Sequence, residues 1–241
     1  MTAPAVTLAG SFSLAGGWLF RDLALRLEAG RWTCLLGPSG VGKSTVLRLI
    51  AGLDTGGRFE GGLAADDGRP LAGRVAYMAQ ADLLPPWLDL LESVVLGARL
   101  RREPPDRAAA ERLIARVGLA AHRHKRPRAL SGGMRQRAAL ARTLMEGRPV
   151  ALLDEPFSAL DAGTRADMQD LAFETLAGRT VLLVTHDPAE AVRLGHRVIL
   201  MRGDGLTEVE LPRQPPPRAV DDAGTLQAQA RLLALLRGRA A

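Results

Sequence analysis

The chain is poor in the side chains that cross-link or brace small secreted proteins. Its 241 residues include a single cysteine, Cys34, so an internal disulfide is excluded. No other residue at metal-ligand spacing accompanies Cys34, which favours a small buried side chain in a reducing cytosol. Aromatic residues make up only 4% of the chain, so the core must be mainly aliphatic, and a hydrophobic content of 47% suffices for one large domain.

Two further absences concern membranes and secretion. No run of 18 apolar residues occurs, so we expect no membrane-spanning helix. The first 20 residues carry no charged side chain, but they also lack a basic start, and Ser and Gly interrupt their apolar stretch. We therefore predict two strands there, Val6–Leu14 and Phe20–Leu27, instead of a signal peptide.

Lysine is almost missing. Of the 32 basic residues, only Lys43 and Lys125 are lysines, and the net charge is +6. The arginines are spread along the chain and form no basic tail, so we expect no nucleic-acid partner.

A phosphate-binding motif is present. Residues 37–45 fit the pattern G-x-x-x-x-G-K-[ST]. The apolar run Trp32–Leu36 before it predicts a buried strand, and helical apolar spacing follows over Ser44–Ala51. Glycines on such a turn let backbone N–H groups converge on phosphate oxygens at a helix N-terminus. The predicted nucleotide-binding residues are Gly37, Pro38, Ser39, Gly40, Val41, Gly42, Lys43, Ser44 and Thr45.

Magnesium and water chemistry need further polar groups near that loop. We predict that Lys43 faces the β- and γ-phosphates and that the Ser44 hydroxyl ligates Mg²⁺. The apolar run Val150–Leu153 ends in Asp154 and Glu155, and parallel strands present such residues at the sheet edge where ligands bind. Asp154 is predicted to be a Mg²⁺ partner, and Glu155 the residue that orients and polarises the attacking water.

Another apolar run, Thr180–Thr185, ends at His186, which is placed to hydrogen-bond a γ-phosphate and sense its loss. Alternating helical and strand patterns from Ser131 to Arg202 indicate parallel strands with crossover helices. The remaining histidines follow no comparable run and are predicted to lie at the surface: His122, His124 and His196. Helical spacing also predicts helices at Glu92–Leu100, Asp106–Val117, with Asp106 as N-cap, and Met134–Met145.

A second anion-binding helix end is predicted at Ser131. Ser131 is a good N-cap, and Gly132 and Gly133 expose backbone N–H groups beside it. Only one lysine-bearing loop exists for two such helix ends. The economical explanation is that Ser131 and its glycines close over a nucleotide held by another subunit, giving a head-to-tail pair with C2 symmetry if the chains are identical.

With these motifs together, the chain resembles the ATP-binding subunits of ABC transporters over residues 5–205. Leu130–Met134 is similar to the family signature, residues 37–45 to Walker A and Val150–Glu155 to Walker B. Ser158–Asp161 resembles the D-loop, which implies a role for Asp161 at the nucleotide. The resemblance also implies that Gln80 is the Q-loop glutamine, in contact with Mg²⁺ and water, and that His186 is the switch histidine.

This resemblance implies an α/β fold: a P-loop NTPase core with a mainly parallel sheet, an N-terminal antiparallel β-subdomain and an inserted α-helical subdomain. We expect the ATPase domain at 1–211, with the helical subdomain at about 82–130, and a Pro-rich linker and C-terminal helix at 212–241. The C-terminal helix is expected to pack on the domain in preference to binding a partner.

The family implies ATP and Mg²⁺ as cofactors and a set of partners. These are a second ATPase subunit, expected as a homodimer, a transmembrane permease and, indirectly, a periplasmic or extracellular solute-binding protein. Residues 83–88 would line the groove for the permease, because their Leu and Trp side chains suit docking. The expected location is the cytoplasmic face of the inner membrane.

Within the family, the motifs look like those of the nitrate, sulfonate and taurine importer branch. Residues 135–145 are most similar to importers of hydroxymethylpyrimidine, the thiamine precursor. One position departs from the family pattern: Leu14 stands where an aromatic residue usually stacks on adenine, and Phe12 and Trp18 are the candidates to replace it.

Four alternatives remain at this stage. An ABC ATPase outside solute import, acting in cluster assembly or lipoprotein release, would share the motifs but not the importer-like docking segment. Kinases and GTPases lack the cradle at Leu130–Met134. Translation-type ABC proteins normally carry two cassettes in one chain. A binding-only module would leave Glu155 idle, which an ATPase measurement would decide.

Overall fold

The computed structural model describes residues 3–237 of the chain. Its contacts divide the chain into two compact units. The first runs up to Val75 and also includes Arg148–Asp154 and the chain from Gly178 onward. The second comprises Ala76–Gly147 and Glu155–Ala177, so the chain passes from one unit to the other between Asp154 and Glu155.

The first unit contains a three-stranded antiparallel sheet in the order β2-β1-β4, made of β1 (Val6–Leu14), β2 (Gly17–Leu27) and β4 (Arg58–Ala65). The sequence predicted β1 and most of β2, but not β4, because two adjacent glycines in it look like a turn. Gly61 faces Gly10 across the ladder, and a Cβ on Gly61 would lie 2.1 Å from the carbonyl oxygen of Ala9. Here glycine permits a close approach of two strands.

The first unit also contributes five strands to a larger sheet, in the order β6-β7-β3-β8-β9. Strands β3 (Trp32–Leu36), β6 (Val150–Asp154), β7 (Thr180–Val184) and β8 (Arg197–Arg202) pair in parallel, and β9 (Gly205–Val209) pairs antiparallel to β8. Every residue of β3, β6 and β7 is buried. Continuous apolar runs are what parallel strands covered on both faces require, and the predicted parallel sheet is confirmed.

The helices of the first unit include α1 (Lys43–Ile50), α7 (Pro188–Leu194) and α8 (Ala223–Leu236). α8 begins at the N-cap Asp222, whose carboxylate accepts a hydrogen bond from the Thr225 backbone N–H. Ala228 and Leu232 of α8 are buried, and α8 packs against α7. The expectation that the C-terminal helix packs on the domain is therefore confirmed.

The second unit is helical, with α2 (Leu90–Val94), α3 (Leu96–Leu100), α4 (Arg107–Arg116), α5 (Gly132–Met145) and α6 (Ala162–Thr175). Strand β5 (Val75–Met78) leads into it. Asp106 caps α4 as predicted, accepting from the Ala109 N–H at 2.8 Å.

Two of the predicted helices differ from the structure. The single helix expected over Glu92–Leu100 is wrong, because Val95, at φ −90° and ψ 3°, separates α2 from α3. α2 starts earlier because Asp89 and Glu92 form a capping box, in which each side chain accepts the other's backbone N–H. α5 also starts earlier, at Gly132, so the two glycines after Ser131 are its first residues.

The surface position expected for His196 is also wrong. His196 is half-buried, and its Nδ1 accepts a hydrogen bond from the Trp32 backbone N–H at 3.1 Å. Burial, together with the charge of Arg31, lowers the pKa of His196. The neutral ring thus fastens the start of β8 to the start of β3, a role that its sequence neighbours do not reveal.

Arg218, in the segment before α8, is 5% exposed and joins the C-terminal part of the chain to α7. Its Nη1 donates to the carbonyl oxygens of Val192 at 2.6 Å and Gly195 at 2.8 Å, and its Nη2 to that of Pro212 at 3.2 Å. Carbonyls at a helix C-terminus have no partner within the helix. Arg218 therefore caps the end of α7 with a positive charge, where the helix dipole favours one.

We predict that Arg218→Met lowers the stability of the protein. The substitution leaves three carbonyl oxygens without their donor, but it also removes the cost of burying a charge. On balance we expect the free energy of unfolding to fall by about 2 kcal/mol. Thermal unfolding should show a Tm about 4–8 °C lower. Arg213→Met, at an exposed site on the same segment, is the matched control and should leave Tm unchanged. Equal Tm values for the two variants would contradict the capping role.

Candidate nucleotide-binding and hydrolysis site

The predicted phosphate loop lies in the first unit, between the buried strand β3 and α1. Gly37 opens it at φ +155°, and a Cβ there would lie 2.2 Å from the carbonyl oxygen of Met201. Gly42 closes it at φ +110° as the N-cap of α1. Both positions need glycine, one for space and both for a backbone conformation that side chains disfavour. The strand–loop–helix context predicted from the sequence is present.

Lys43, the first residue of α1, is 9% exposed and points back into the loop. Its ammonium group donates to the carbonyl oxygens of Gly37 and Pro38, both at 2.8 Å. These contacts compensate the buried charge of Lys43 and hold its ammonium group in the loop, where it can donate hydrogen bonds to phosphate oxygens. Ser44, next on the helix, is exposed, so its hydroxyl is accessible to a ligand.

Asp154 and His186 share the edge of the sheet from which the phosphate loop leaves. Asp154 is the last residue of β6 and pairs with Val184 of β7, and Val184 pairs with Leu35 of β3. Because the three strands are parallel, Asp154, the start of the loop and His186 all lie at their carboxyl ends, as predicted. Asp154 is 3% exposed, whereas His186 is exposed.

The backbone around His186 is fixed by a compact hydrogen-bond cluster. The Thr185 hydroxyl donates to the buried Glu190 carboxylate at 2.7 Å and accepts from the Asp187 N–H at 3.0 Å. The Asp187 carboxylate in turn caps α7 by accepting from the Ala189 N–H at 2.8 Å. Both neighbours of His186 are thereby held, and the exposed imidazole projects from a rigid turn.

Glu155 and Gln80, both in the second unit, are brought together. The Gln80 Nε2 donates to the Glu155 carboxylate at 3.2 Å. Glu155 has φ +48°, a left-handed conformation that is rare for a residue with a Cβ and is disfavoured further before Pro156. Such strain clusters at functional sites. The sequence predicted both residues for the site but not their contact.

Ser131 is the N-cap of α5, and its hydroxyl accepts from the Met134 N–H at 3.3 Å. Ser131 and Gly132 are exposed, so the first backbone N–H groups of this 14-residue helix are accessible. Asp161 is similarly the N-cap of α6, and hydrogen bonds led by the Thr164 backbone N–H lower the pKa of its carboxyl, which favours the ionised form.

Three polar residues of α5 were missed by sequence reasoning. The Arg142 guanidinium donates to the carbonyl oxygens of Asp82 and Leu83, both at 2.8 Å, and Arg135 Nε donates to the Asp82 carboxylate at 2.9 Å. The third, Gln136, contacts the segment around Glu155. Most of these partners are backbone atoms, which leave no pattern in a sequence.

These contacts shape a groove of about 430 Å³ within the second unit. Leu83, at φ +46°, and Trp87 stand out from the segment that follows Gln80, with 64% and 70% of their surface exposed. The groove is lined by Met78, Gln80, Ala81, Asp82, Leu83, Gly132, Arg135, Gln136, Ser158 and Ala159. Large exposed apolar side chains such as these are typical of a surface that binds another protein.

The two candidates for adenine stacking differ in exposure. Phe12 is fully buried and stacks on Phe20, with ring centroids 5.8 Å apart, so the structure removes it as a candidate. Trp18 is 44% exposed, and the Arg21 guanidinium lies over its ring at 5.1 Å. Trp18 also lies on β2, whose Phe20 closely approaches the backbone of Gly42 in the phosphate loop.

Comparison with known proteins agrees with this arrangement. Residues 20–158 match the family model described as "ABC transporter". An uncharacterized ABC transporter ATP-binding protein of Haemophilus influenzae is 45% identical over 235 residues, covering 95% of this chain and 96% of that protein. The aliphatic sulfonates import ATP-binding protein SsuB 1 of Rhodococcus jostii is 44% identical over 223 residues, with 88% of each chain covered.

Solved structures give the same result. A dimeric bacterial ABC transporter cassette superposes with a TM-score of 0.73 at 26% identity, covering 89% of this chain and 99% of that one. A dimeric post-hydrolysis state of an ATP-binding cassette bound to ADP and Pi also has a TM-score of 0.73, at 27% identity, with 89% and 99% covered.

The fold and the phosphate loop define a P-loop ATPase cassette. The chain belongs to the ABC transporter family, as an ATP-binding subunit with ATPase activity. Within residues 3–237, no helix is both long enough and apolar enough to cross a membrane.

We predict that the two glycines Gly37 and Gly40 respond differently to alanine. Gly37→Ala forces a Cβ onto the Met201 carbonyl oxygen and should cost about 2–4 kcal/mol of stability. Gly40 has φ +80°, but among residues 3–237 no atom outside its neighbours would lie within 4 Å of its Cβ, so Gly40→Ala should cost only about 1 kcal/mol. Urea unfolding measures both. Equal midpoints would contradict the close approach at Gly37.

Proposed function

We propose that this chain is the ATP-hydrolysing subunit of an importer that carries a small organic solute across the inner membrane. One observation carries the proposal: the phosphate loop, Asp154 and His186 meet at one edge of a buried parallel sheet. In this proposal the loop residues, Gly37 to Thr45, bind the phosphates of ATP, and Lys43 faces the β- and γ-phosphates.

Mg²⁺ fits the oxygen ligands at this edge. Ser44 offers an accessible hydroxyl, and Asp154 a buried carboxylate at a strand end. Mg²⁺ prefers hard oxygen ligands, takes one or two from the protein and shares the remainder with phosphates and water. We assign Ser44 and Asp154 as its protein partners, directly or through water, with Gln80 as a further contact. Bound Mg²⁺ would neutralise charge that develops on the phosphates.

Hydrolysis needs a group that orients water and withdraws its proton. Glu155 is half-buried, and its carboxylate accepts a hydrogen bond from Gln80, so it is held in one direction. We propose Glu155 as this catalytic group and Gln80 as the residue that holds its carboxylate. His186, on its rigid turn, is proposed to hydrogen-bond the γ-phosphate and to register its release.

A second subunit completes each site in this proposal. Ser131, Gly132 and Gly133 present an accessible helix N-terminus that the chain's own phosphate loop does not require. The similar solved cassettes are dimeric, which supports a head-to-tail pair of identical chains. Asp161, ionised at the start of α6, is assigned to the nucleotide as well.

We predict that Glu155→Gln lowers kcat for ATP by about 100-fold or more, because the amide cannot take a proton from water. ATP binding should survive, so Mg-ATP should trap a dimer that gel filtration resolves. Glu111→Gln, which removes an exposed carboxylate on α4, is the control and should behave like the wild type. Hydrolysis by Glu155→Gln at the wild-type rate would refute the assignment of Glu155.

Trp18 is proposed to be the platform for the adenine base in place of the family's usual aromatic residue. It is exposed on β2, near the phosphate loop, and Arg21 braces one face of its ring. A flat indole with a free face can stack on a base.

The groove that Leu83 lines, together with the exposed Trp87 four residues further along the chain, is proposed to receive a cytoplasmic segment of a transmembrane permease. Its lining combines the apolar Met78 and Leu83 with polar side chains such as Asp82 and Arg135, which suits a short amphipathic helix. A permease on this groove would place the chain at the cytoplasmic face of the membrane, as a peripheral subunit. We expect a solute-binding protein on the opposite side to contact the permease, not this chain.

We predict that Leu83→Asp and Trp87→Asp each abolish co-sedimentation of the chain with membranes of cells that express it with its permease. Each change puts a charge on an exposed apolar side chain of the segment 83–88, while the ATPase activity of the isolated chain should stay within about twofold of wild type. Leu100→Asp, at a side chain 75% exposed outside the groove, is the matched control and should retain co-sedimentation. Membrane association of all three variants would rule out this surface.

For the cargo, aliphatic sulfonates are the first class to test. The relatives of Rhodococcus jostii and Agrobacterium fabrum, 44% and 45% identical, are named as aliphatic sulfonate import proteins. Nitrate, taurine and hydroxymethylpyrimidine are the further candidates that the motifs suggest. We also propose that residues 1–211 form the ATPase domain, with 82–130 as its helical subdomain, and that 212–241 are an appended linker and helix.

A further inference from the structure

Gln136 is a buried polar residue of the second unit that lines the groove but has no part in the proposed hydrolysis step. It lies on α5, five residues after the N-cap Ser131, and only 7% of its surface is exposed. An amide side chain is costly to bury unless its donors and its acceptor find partners. The partners that it finds lie in the segment just after the sheet edge, around Glu155.

Within the described part of the chain, the side chain of Gln136 makes three hydrogen bonds, and all go to residues 155–159. Its Nε2 donates to the backbone carbonyl oxygen of Glu155 at 2.9 Å and to the Ser158 hydroxyl at 3.1 Å. Its Oε1 accepts from the Ala159 backbone N–H at 2.7 Å. A carbonyl oxygen requires a donor and an N–H requires an acceptor, so only one orientation of the amide satisfies both.

The carbonyl that Gln136 holds belongs to the strained residue of the chain's catalytic segment. Glu155 has φ +48° and precedes Pro156, and both features oppose its conformation. The Ser158 hydroxyl also donates to the Glu155 carbonyl oxygen, at 3.1 Å. A strained conformation persists only where its surroundings over-determine it, and here Gln136 and Ser158 supply that restraint.

We propose that Gln136 is a positioning residue for ATP hydrolysis: by holding the Glu155 carbonyl and the Ala159 N–H, it keeps Glu155 in the left-handed conformation that aims its carboxylate at Gln80. This inference rests on the proposed catalytic role of Glu155. Gln136 restrains the main chain of Glu155, whereas Gln80 contacts its carboxylate. Gln136 itself touches neither nucleotide nor water in this scheme.

The same residue links two parts of the proposed site. α5 carries Ser131 at its start, which is assigned to the nucleotide of a second subunit, and Gln136 one turn and a half further on. A displacement of α5 would therefore be felt at the main chain of Glu155. The position of the Glu155 carboxylate then depends on the position of α5.

The test uses Gln136→Glu, which keeps the acceptor for the Ala159 N–H but, when ionised, has no donor for the Glu155 carbonyl. We expect kcat about tenfold below wild type at pH 8, with KM for ATP within about twofold, because the loss falls on positioning and not on nucleotide binding. Equal reduction of binding and turnover, or a wild-type kcat, would overturn the proposal.

A pH profile separates positioning from general damage. A protonated carboxyl has one donor and one acceptor, as the amide does, and burial raises the pKa of a carboxyl. The kcat of Gln136→Glu relative to wild type should therefore recover towards about pH 6 and fall towards about pH 8.5. Gln136→Met, which has no donor at any pH, should give a low and constant ratio. A constant ratio for Gln136→Glu as well would overturn the donor role.

Two further comparisons use the same full-length chain. Arg137→Met removes another hydrogen bond from α5 to a backbone carbonyl, that of Val117, and controls for loss of helix packing. If Gln136 acts through Glu155, adding Gln136→Met to Glu155→Gln should reduce the residual rate by less than about twofold. If the rate losses of the two single variants multiply in the double variant, Gln136 acts independently of Glu155 and the proposal is overturned. Wild-type activity of Glu155→Gln alone would instead refute the proposed function.

Discussion

The burial of three parallel strands, β3, β6 and β7, is the constraint on which the nucleotide site depends. Because these strands are covered on both faces, most of their residues are apolar, and Asp154, their one charged residue, stands at the end of its strand. Parallel pairing then brings those ends to one edge. The phosphate loop, Asp154 and His186 are neighbours because the hydrophobic effect fixes the strands, not because the polar groups attract one another.

The same reasoning explains which parts of the molecule the sequence predicts. Runs such as Val150–Leu153 and Thr180–Thr185 favour buried strands, and the proposed site residues Asp154 and His186 directly follow them. By contrast, β4 was missed because Gly61 and Gly62 resemble a turn, although Gly61 serves a close strand contact. The break at Val95 was missed because apolar spacing continues across it from α2 to α3.

Polar residues whose partners are backbone atoms form a class that sequence reasoning could not find. Arg218, Arg142 and Gln136 each direct hydrogen bonds to carbonyl oxygens of distant segments. A carbonyl exists at every position, so its position in the sequence carries no signal. His196 belongs to the same class, since its partner is the backbone N–H of Trp32. Such residues become recognisable only when burial and geometry are known.

The second unit contains both the proposed permease groove and the proposed hydrolytic carboxylate, and α5 connects them. Arg142 and Arg135 of α5 hold the segment at Asp82 that borders the groove, and Gln136 of the same helix holds the main chain of Glu155. A partner bound in the groove would therefore contact α5 and could displace it. Because a helix of 14 residues is stiff, a shift at one face would reach Glu155 without a separate relay. Coupling between transport and hydrolysis would then need only the rigidity of one helix and the strain stored at one residue.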